Sequence, residues 1–138
     1  MEERVVIVCG GREWAPAGAL ADEAEAWLVL MLLRLQATMV MHGDQRGADR
    51  WAARVIARRL QATTSMLDRG VVVVPVAADW DRFGDPAGPI RNREVLARAY
   101  RMGGGFVMGC LAFPGGPGTK DMCDSATRLG VEVLRFSP

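Results

Sequence analysis

The stretch Leu111-Ala-Phe-Pro-Gly-Gly-Pro-Gly-Thr-Lys-Asp121 limits what this chain can fold into more than any other. The apolar run before it, Phe106 to Phe113, reads as a buried strand. Pro114 stops that strand, glycines turn the chain, and helical spacing follows as far as Gly130. A strand, a glycine turn and a helix in this order leave the first N–H groups of the helix unpaired and facing the turn. Together with the positive end of the helix dipole they favour an anion, most often a phosphate. Gly115, Gly116 and Gly118 would permit positive φ and close approach of a ligand. Thr119 would either cap the helix or donate its hydroxyl to a phosphate oxygen. A glycine-rich connection that binds nothing is the competing reading.

The rest of the chain alternates strand and helix periods. Val5 to Cys9 is a β-branched run suited to a strand covered on both faces, and it ends in the turn Gly10-Gly11-Arg12-Glu13-Trp14. A helix is predicted over Leu20–Gln36, with Asp22, Glu23 and Glu25 near its N-terminal end. A strand over Thr38–Met41 and a helix over Ala48–Leu60 come next, then a polar connection from Gln61 to Gly70. Val71–Val76 is a third strand, and Pro75 points to an edge position. Asp79–Gly88 reads as a long loop holding Trp80. Pro89 opens a helix over Ile90–Arg101, and Val131–Arg135 is the last strand. Five strands with interleaved helices predict a doubly wound, mostly parallel α/β sheet of order 3-2-1-4-5 with helices on both faces, residues 1–138 forming a single domain. The winding reverses between strands one and four, where ligands bind in such sheets. Gly10, Gly11 and Arg12 should therefore lie beside the Pro114–Thr119 turn.

Composition excludes several functions. A net charge of +1 provides no general field to attract nucleic acid or an anionic membrane. The longest uncharged apolar run, Ala26–Leu33, is too short to span a bilayer, and Met1-Glu2-Glu3-Arg4 lacks the basic start of a signal peptide. Cys9, Cys110 and Cys123 are odd in number and lack metal-ligand spacing, so buried free thiols in a reducing compartment, the cytoplasm, are expected, with no metal.

Four strand exits would face one crevice. Arg12 is placed either to pair with a phosphate or to sit on the surface. His42 and Gly43 open the loop after strand two, where His42 is either a structural hydrogen bonder or a functional group. Arg46 and Gly47 follow, and Asp49 either caps the next helix or holds a sugar or base. Trp80 offers an aromatic face to a base or anchors its loop. Arg91 and Asn92, at a helix start, suit an anion clamp.

Gly11-Arg12, His42-Gly43-Asp44-Gln45-Arg46-Gly47-Ala48-Asp49, Asp79-Trp80, Ala87-Gly88-Pro89-Ile90-Arg91-Asn92 and Phe113 through Met122 follow the order and spacing of the YspA-like branch of the SLOG superfamily. The chain resembles that branch over nearly its whole length. The resemblance implies a Rossmann-like sheet that holds a nucleotide, or a signal derived from one, at the Pro-Gly-Gly-x-Gly-Thr turn. The superfamily also includes the Lonely Guy phosphoribohydrolases, which cleave the base from a nucleoside monophosphate. Those enzymes read Pro-Gly-Gly-x-Gly-Thr-x-x-Glu, and the glutamate position here is Met122, which cannot stabilise an oxocarbenium-like charge or activate water.

Ligand binding therefore ranks above catalysis. The phosphate is expected on Gly115, Gly116, Gly118 and Thr119, bordered by Pro114, Gly10 and Gly11. Arg12, Arg46 and Arg91 would neutralise it, Asp49 or Asn92 hold the sugar, and Trp80 or Trp14 the base. No cofactor is required. The alternative is a nucleotide N-glycosidase using Asp121, Glu13 or Asp49. The helix over residues 20–36 is apolar nearly all round (Trp27, Leu30 and Leu33 beside Leu28, Met31, Leu32 and Leu35), which points to a homodimer through that helix.

Overall fold

The computed structural model describes residues 2–60 and 70–138, so the polar connection expected at 61–70 lies, but for Gly70, outside the described residues. The chain runs β1 (Val5–Cys9), α1 (Gly18–Arg34), β2 (Met39–His42), α2 (Ala48–Arg59), β3 (Val72–Pro75), α3 (Trp80–Phe83), α4 (Ala87–Met102), β4 (Gly109–Ala112), α5 (Pro117–Arg128) and β5 (Val133–Arg135). The five strands are parallel in the order β3-β2-β1-β4-β5, the doubly wound, Rossmann-like arrangement that the sequence predicts, with β3 and its Pro75 at an edge.

β1 is buried on both faces, and alternate residues serve separate cores. Val5, Ile7 and Cys9 pack with Val95, Leu96 and Ala99 of α4 and Met122, Cys123 and Ala126 of α5. Val6 and Val8 pack with Ala24, Leu28 and Leu32 of α1 and Ala52, Val55 and Ile56 of α2. All three cysteines are free and buried, with the Cys9 and Cys110 sulfurs 3.8 Å apart. No described helix is long and apolar enough to cross a membrane.

Several element limits differ from the sequence reading. α1 starts at Gly18, so its first turn holds no acidic residue; Glu25 instead binds Arg58 and Arg59 of α2. Residues expected as one loop contain α3, capped by the Asp79 carboxylate, which accepts from the Arg82 amide at 3.1 Å. α4 starts at Ala87, which moves Arg91 and Asn92 out of its first turn and into buried positions. The run taken as a strand from Phe106 narrows to Gly109–Ala112. Phe106 is 62% exposed, because the glycines at 103–105 fold into a turn whose Gly103 carbonyl accepts from the Phe106 amide. α1 turns Ala24, Leu28 and Leu32 inward and leaves Leu30 and Leu33 exposed, while Trp27 packs on Phe113 and Phe136.

Candidate functional site

The exits of β1 and β4 meet, as the winding order requires. The Phe113 amide donates to the Cys9 carbonyl, and the Gly11 amide donates to the Pro114 carbonyl at 2.9 Å. One glycine amide is thus used by the protein itself. α5 then starts with Pro117 at its first position and Gly116 as a cap residue without a side-chain bond. Of the two roles expected for Thr119, the cap is not the one it takes, since it is the third helical residue. The amides of Gly115, Gly116, Gly118 and Thr119 have no protein acceptor among the described residues, and neither has the Thr119 hydroxyl a partner, although Thr119 is only 9% exposed.

The glycines of this turn do not adopt the positive φ that was expected of them. Their role is spatial. A Cβ on Gly115 would collide with the Thr119 hydroxyl and the Gly11 amide, so there the backbone packs on itself. A Cβ on Gly116 or Gly118 would meet no protein atom within 4 Å. Nothing in the protein's own packing asks for glycine at those two positions, and both border a cleft.

That cleft measures about 770 Å³, in the range of roughly 300–1,000 Å³ usual for small-molecule sites. Of the residues predicted from sequence, Gly10, Gly11, Arg12, Trp80, Arg91, Asn92, Pro114, Gly115, Gly116, Gly118 and Thr119 line it, as do Glu13, Trp14 and Asp121. Asn92 is buried and donates through Nδ2 to the Gly118 carbonyl at 3.2 Å and to Asp121 at 2.9 Å, tying α4 to the start of α5. Arg91 donates through Nε to Asn92 and through Nη1 to the Gly43 carbonyl, leaving further donors beside the cleft. Burial lowers its pKa, and the Asp49 charge works against that shift. The Arg12 guanidinium stands 5.9 Å from the ring centroid of Trp80, which is 43% exposed. Trp14 is held in an aromatic cluster with Trp51, Phe113 and Phe136, and its Nε1 is buried without a partner among the described residues.

The loop after β2 does not supply the groups expected of it. His42, Gly43, Arg46, Gly47 and Asp49 do not line the cleft. His42 is buried and its Nδ1 accepts from the Asp44 amide, which leaves the proton of the neutral ring on Nε2; burial lowers its pKa against the opposing Asp44 charge. Arg46 is exposed and pairs with Glu13 at 2.9 Å. Gly47, at φ 88, packs on the backbone of Gly11 and Arg12. Asp49 is buried, accepts from the Gln45 amide at 3.2 Å, and has its pKa pushed up to about 6 by burial. Within this loop Gln45 alone lines the cleft; the rest supports lining residues, through the Ala48 amide on the Gly11 carbonyl, the Gly43 carbonyl on Arg91 and Arg46 on Glu13.

Gln45, Asp85, Gly88, Pro89 and Pro117 also line the cleft without having been singled out as ligand contacts, although all but Asp85 lie in the motifs quoted above. Gly88 and Pro89 lie within a segment whose importance was legible; a Cβ on Gly88 would touch Trp80 at 3.4 Å. Nothing in the sequence marks Asp85, which lines the cleft from the connection between α3 and α4. Met122 is 3% exposed within the core under α5, so the position of the Lonely Guy glutamate does not reach the cleft here.

The chain is 32% identical over 145 residues to the Gene 61 protein of Mycobacterium phage D29, an alignment that covers 96% of each protein. It belongs to the Gene 61 protein family. No protein-family model matches it.

Proposed function

We propose that this protein is a SLOG-type domain of the cytoplasm that binds a nucleotide or a nucleotide-derived small molecule, with a phosphate on the Pro114–Thr119 turn. The observation that carries the reading is the row of unpartnered amides at Gly115, Gly116, Gly118 and Thr119, with the unpartnered Thr119 hydroxyl, along the wall of a cleft of ligand size. Arg12 and Arg91 border the same cleft and supply positive charge. Trp80 is the better base platform than Trp14, because its ring is exposed while Trp14 is packed among other rings. Asp121 and Asn92 suit sugar hydroxyls, in place of Asp49. Calorimetry with nucleoside mono- and diphosphates, ADP-ribose and cyclic nucleotides tests the reading: saturable binding by at least one, abolished by Gly116→Asp, supports it. Absence of binding by all of them removes it.

The second reading, a nucleotide N-glycosidase, is favoured by the Asp121 and Glu13 carboxylates on the cleft wall, while Asp49 lies away from it. Release of free base from AMP-like substrates, lost in Asp121→Ala, would establish it. A homodimer through α1 is supported by the exposed Leu30 and Leu33. Light scattering at micromolar concentration should then give twice the chain mass, and Leu30→Glu with Leu33→Glu should halve it.

A further inference from the structure

The glycine turn borders two depressions, not one. A groove of about 260 Å³, lined by neither Arg12 nor Trp80, extends to Arg135 and Phe136 at the end of β5, and Pro114, Gly115, Gly116 and Thr119 line both it and the cleft. The two differ in charge. The cleft sets Arg12 and Arg91 among three carboxylates, Glu13, Asp85 and Asp121. The groove is lined by Lys120 and Arg135 and by no carboxylate. Lys120 holds Asp124 at 2.7 Å and Arg135 donates to the Cys123 sulfur at 3.4 Å, contacts that occupy a minority of their donors. Between the two depressions stands the Thr119 hydroxyl, on a residue nine-tenths buried and without a partner.

From this asymmetry we infer that the groove is a second anion subsite, so that the ligand carries two linked anionic groups, one on each side of the turn. The chemical class is a nucleotide with a diphosphate unit, such as a nucleoside diphosphate or a diphosphate-bridged sugar nucleotide, in preference to a monophosphate. The inference rests on the nucleotide-binding reading above and adds to it the number of phosphates. The base and sugar lie in the cleft, where carboxylates accept hydroxyl hydrogen bonds. The outer phosphoryl group lies against Arg135 and Lys120, where charge-assisted hydrogen bonds favour it.

The test compares AMP with ADP, which share base and sugar, by calorimetry on the full chain and on Arg135→Gln and Lys120→Gln. ADP should bind wild type about tenfold or more tightly than AMP, since one charge-assisted contact is of that size. Arg135→Gln should bring ADP close to AMP while leaving AMP affinity unchanged, which also shows that the variant folds. Lys120→Gln, at an exposed position, should cause a smaller loss in the same direction. Equal binding of AMP and ADP, or a preference untouched by both variants, would overturn the second subsite and leave the nucleotide reading standing. Absence of binding by either nucleotide would overturn both.

Discussion

Two glycine-bearing loops leave the carboxyl edge of the sheet, one rich in charged side chains and one with none, and reach opposite states. The loop after β2, residues 42–49, uses its polar groups on the protein. His42 takes the Asp44 amide, Asp49 takes the Gln45 amide, the Gly43 carbonyl takes Arg91, and Gly47 is wedged against Gly11 and Arg12. The loop after β4, residues 114–119, leaves four amides and a hydroxyl without partners at the edge of a cleft. Glycine in the first loop is required by packing and by φ; at Gly116 and Gly118 in the second it is required by nothing the protein contains. Buried or recessed polar groups are almost always paired, so the loop with open partners is the one shaped for something else.

The sharpest way to break this contrast is to add a side chain to each loop. Gly47→Val places a Cβ against the Gly11 carbonyl at a φ of 88, which should cost about 3 kcal/mol or more in urea unfolding, or abolish folding. Gly118→Ala, in open space within the first turn of α5, should change stability by no more than about 1 kcal/mol, in the stabilising direction. The same variant should weaken nucleotide binding by about tenfold through crowding of the ligand. Unfolding by Gly118→Ala would erase the distinction.

A smaller effect is expected where the loops' supports meet. Asn92→Ala removes the bonds to the Gly118 carbonyl and Asp121 from a buried position, so about 1–3 kcal/mol of stability should be lost in denaturant titration. Nucleotide affinity should fall as well, because the turn loses its tie to α4.

The closed loop also has a pH signature that the open one lacks. Burial holds the Asp49 pKa at about 6 in the folded state against an ordinary 3.8. A raised folded pKa gives stabilisation that is complete below the unfolded value and lost as pH rises through the folded one. Stability of wild type relative to Asp49→Asn should therefore decline between about pH 4 and about pH 7 and level off above. Thermal unfolding at several pH values checks it; parallel curves would show that Asp49 is not buried as described. Smallest of all, Arg46→Gln should alter stability by less than about 0.5 kcal/mol and leave nucleotide binding unchanged, since its ion pair with Glu13 is exposed.

The sheet order and the meeting of Gly11 with Pro114 were legible in the sequence because strand periodicity, crossover rules and glycine punctuation all agree there. The split of the candidate residues was not. Arg46 and Arg91 look alike in sequence, yet α4 starts at Ala87 and carries Arg91 inward, while Arg46 sits on an exposed bend and turns to Glu13. Asp49 reads equally as a helix cap or a sugar ligand; in the structure it sits in the first turn of α2, caps no helix amide, and turns back to the Gln45 amide away from the cleft. Asp85 carries no local signal, and Gln45 has none beyond its place in the His42–Asp49 motif; both reach the cleft through the tertiary fold. The groove beside β5 was invisible for the same reason, since Arg135 is sixteen residues beyond Thr119 in the chain.

The central claim, that the turn after β4 is the phosphate-binding element, is tested most directly by amide chemical shifts in a nitrogen-15 labelled sample titrated with ADP. The amides of Gly115, Gly116, Gly118 and Thr119 should move with a common saturation curve while those of Gly43, Asp44 and Asp49 stay in place. Saturable shifts confined to the loop after β2, or no shift in either loop, would contradict it.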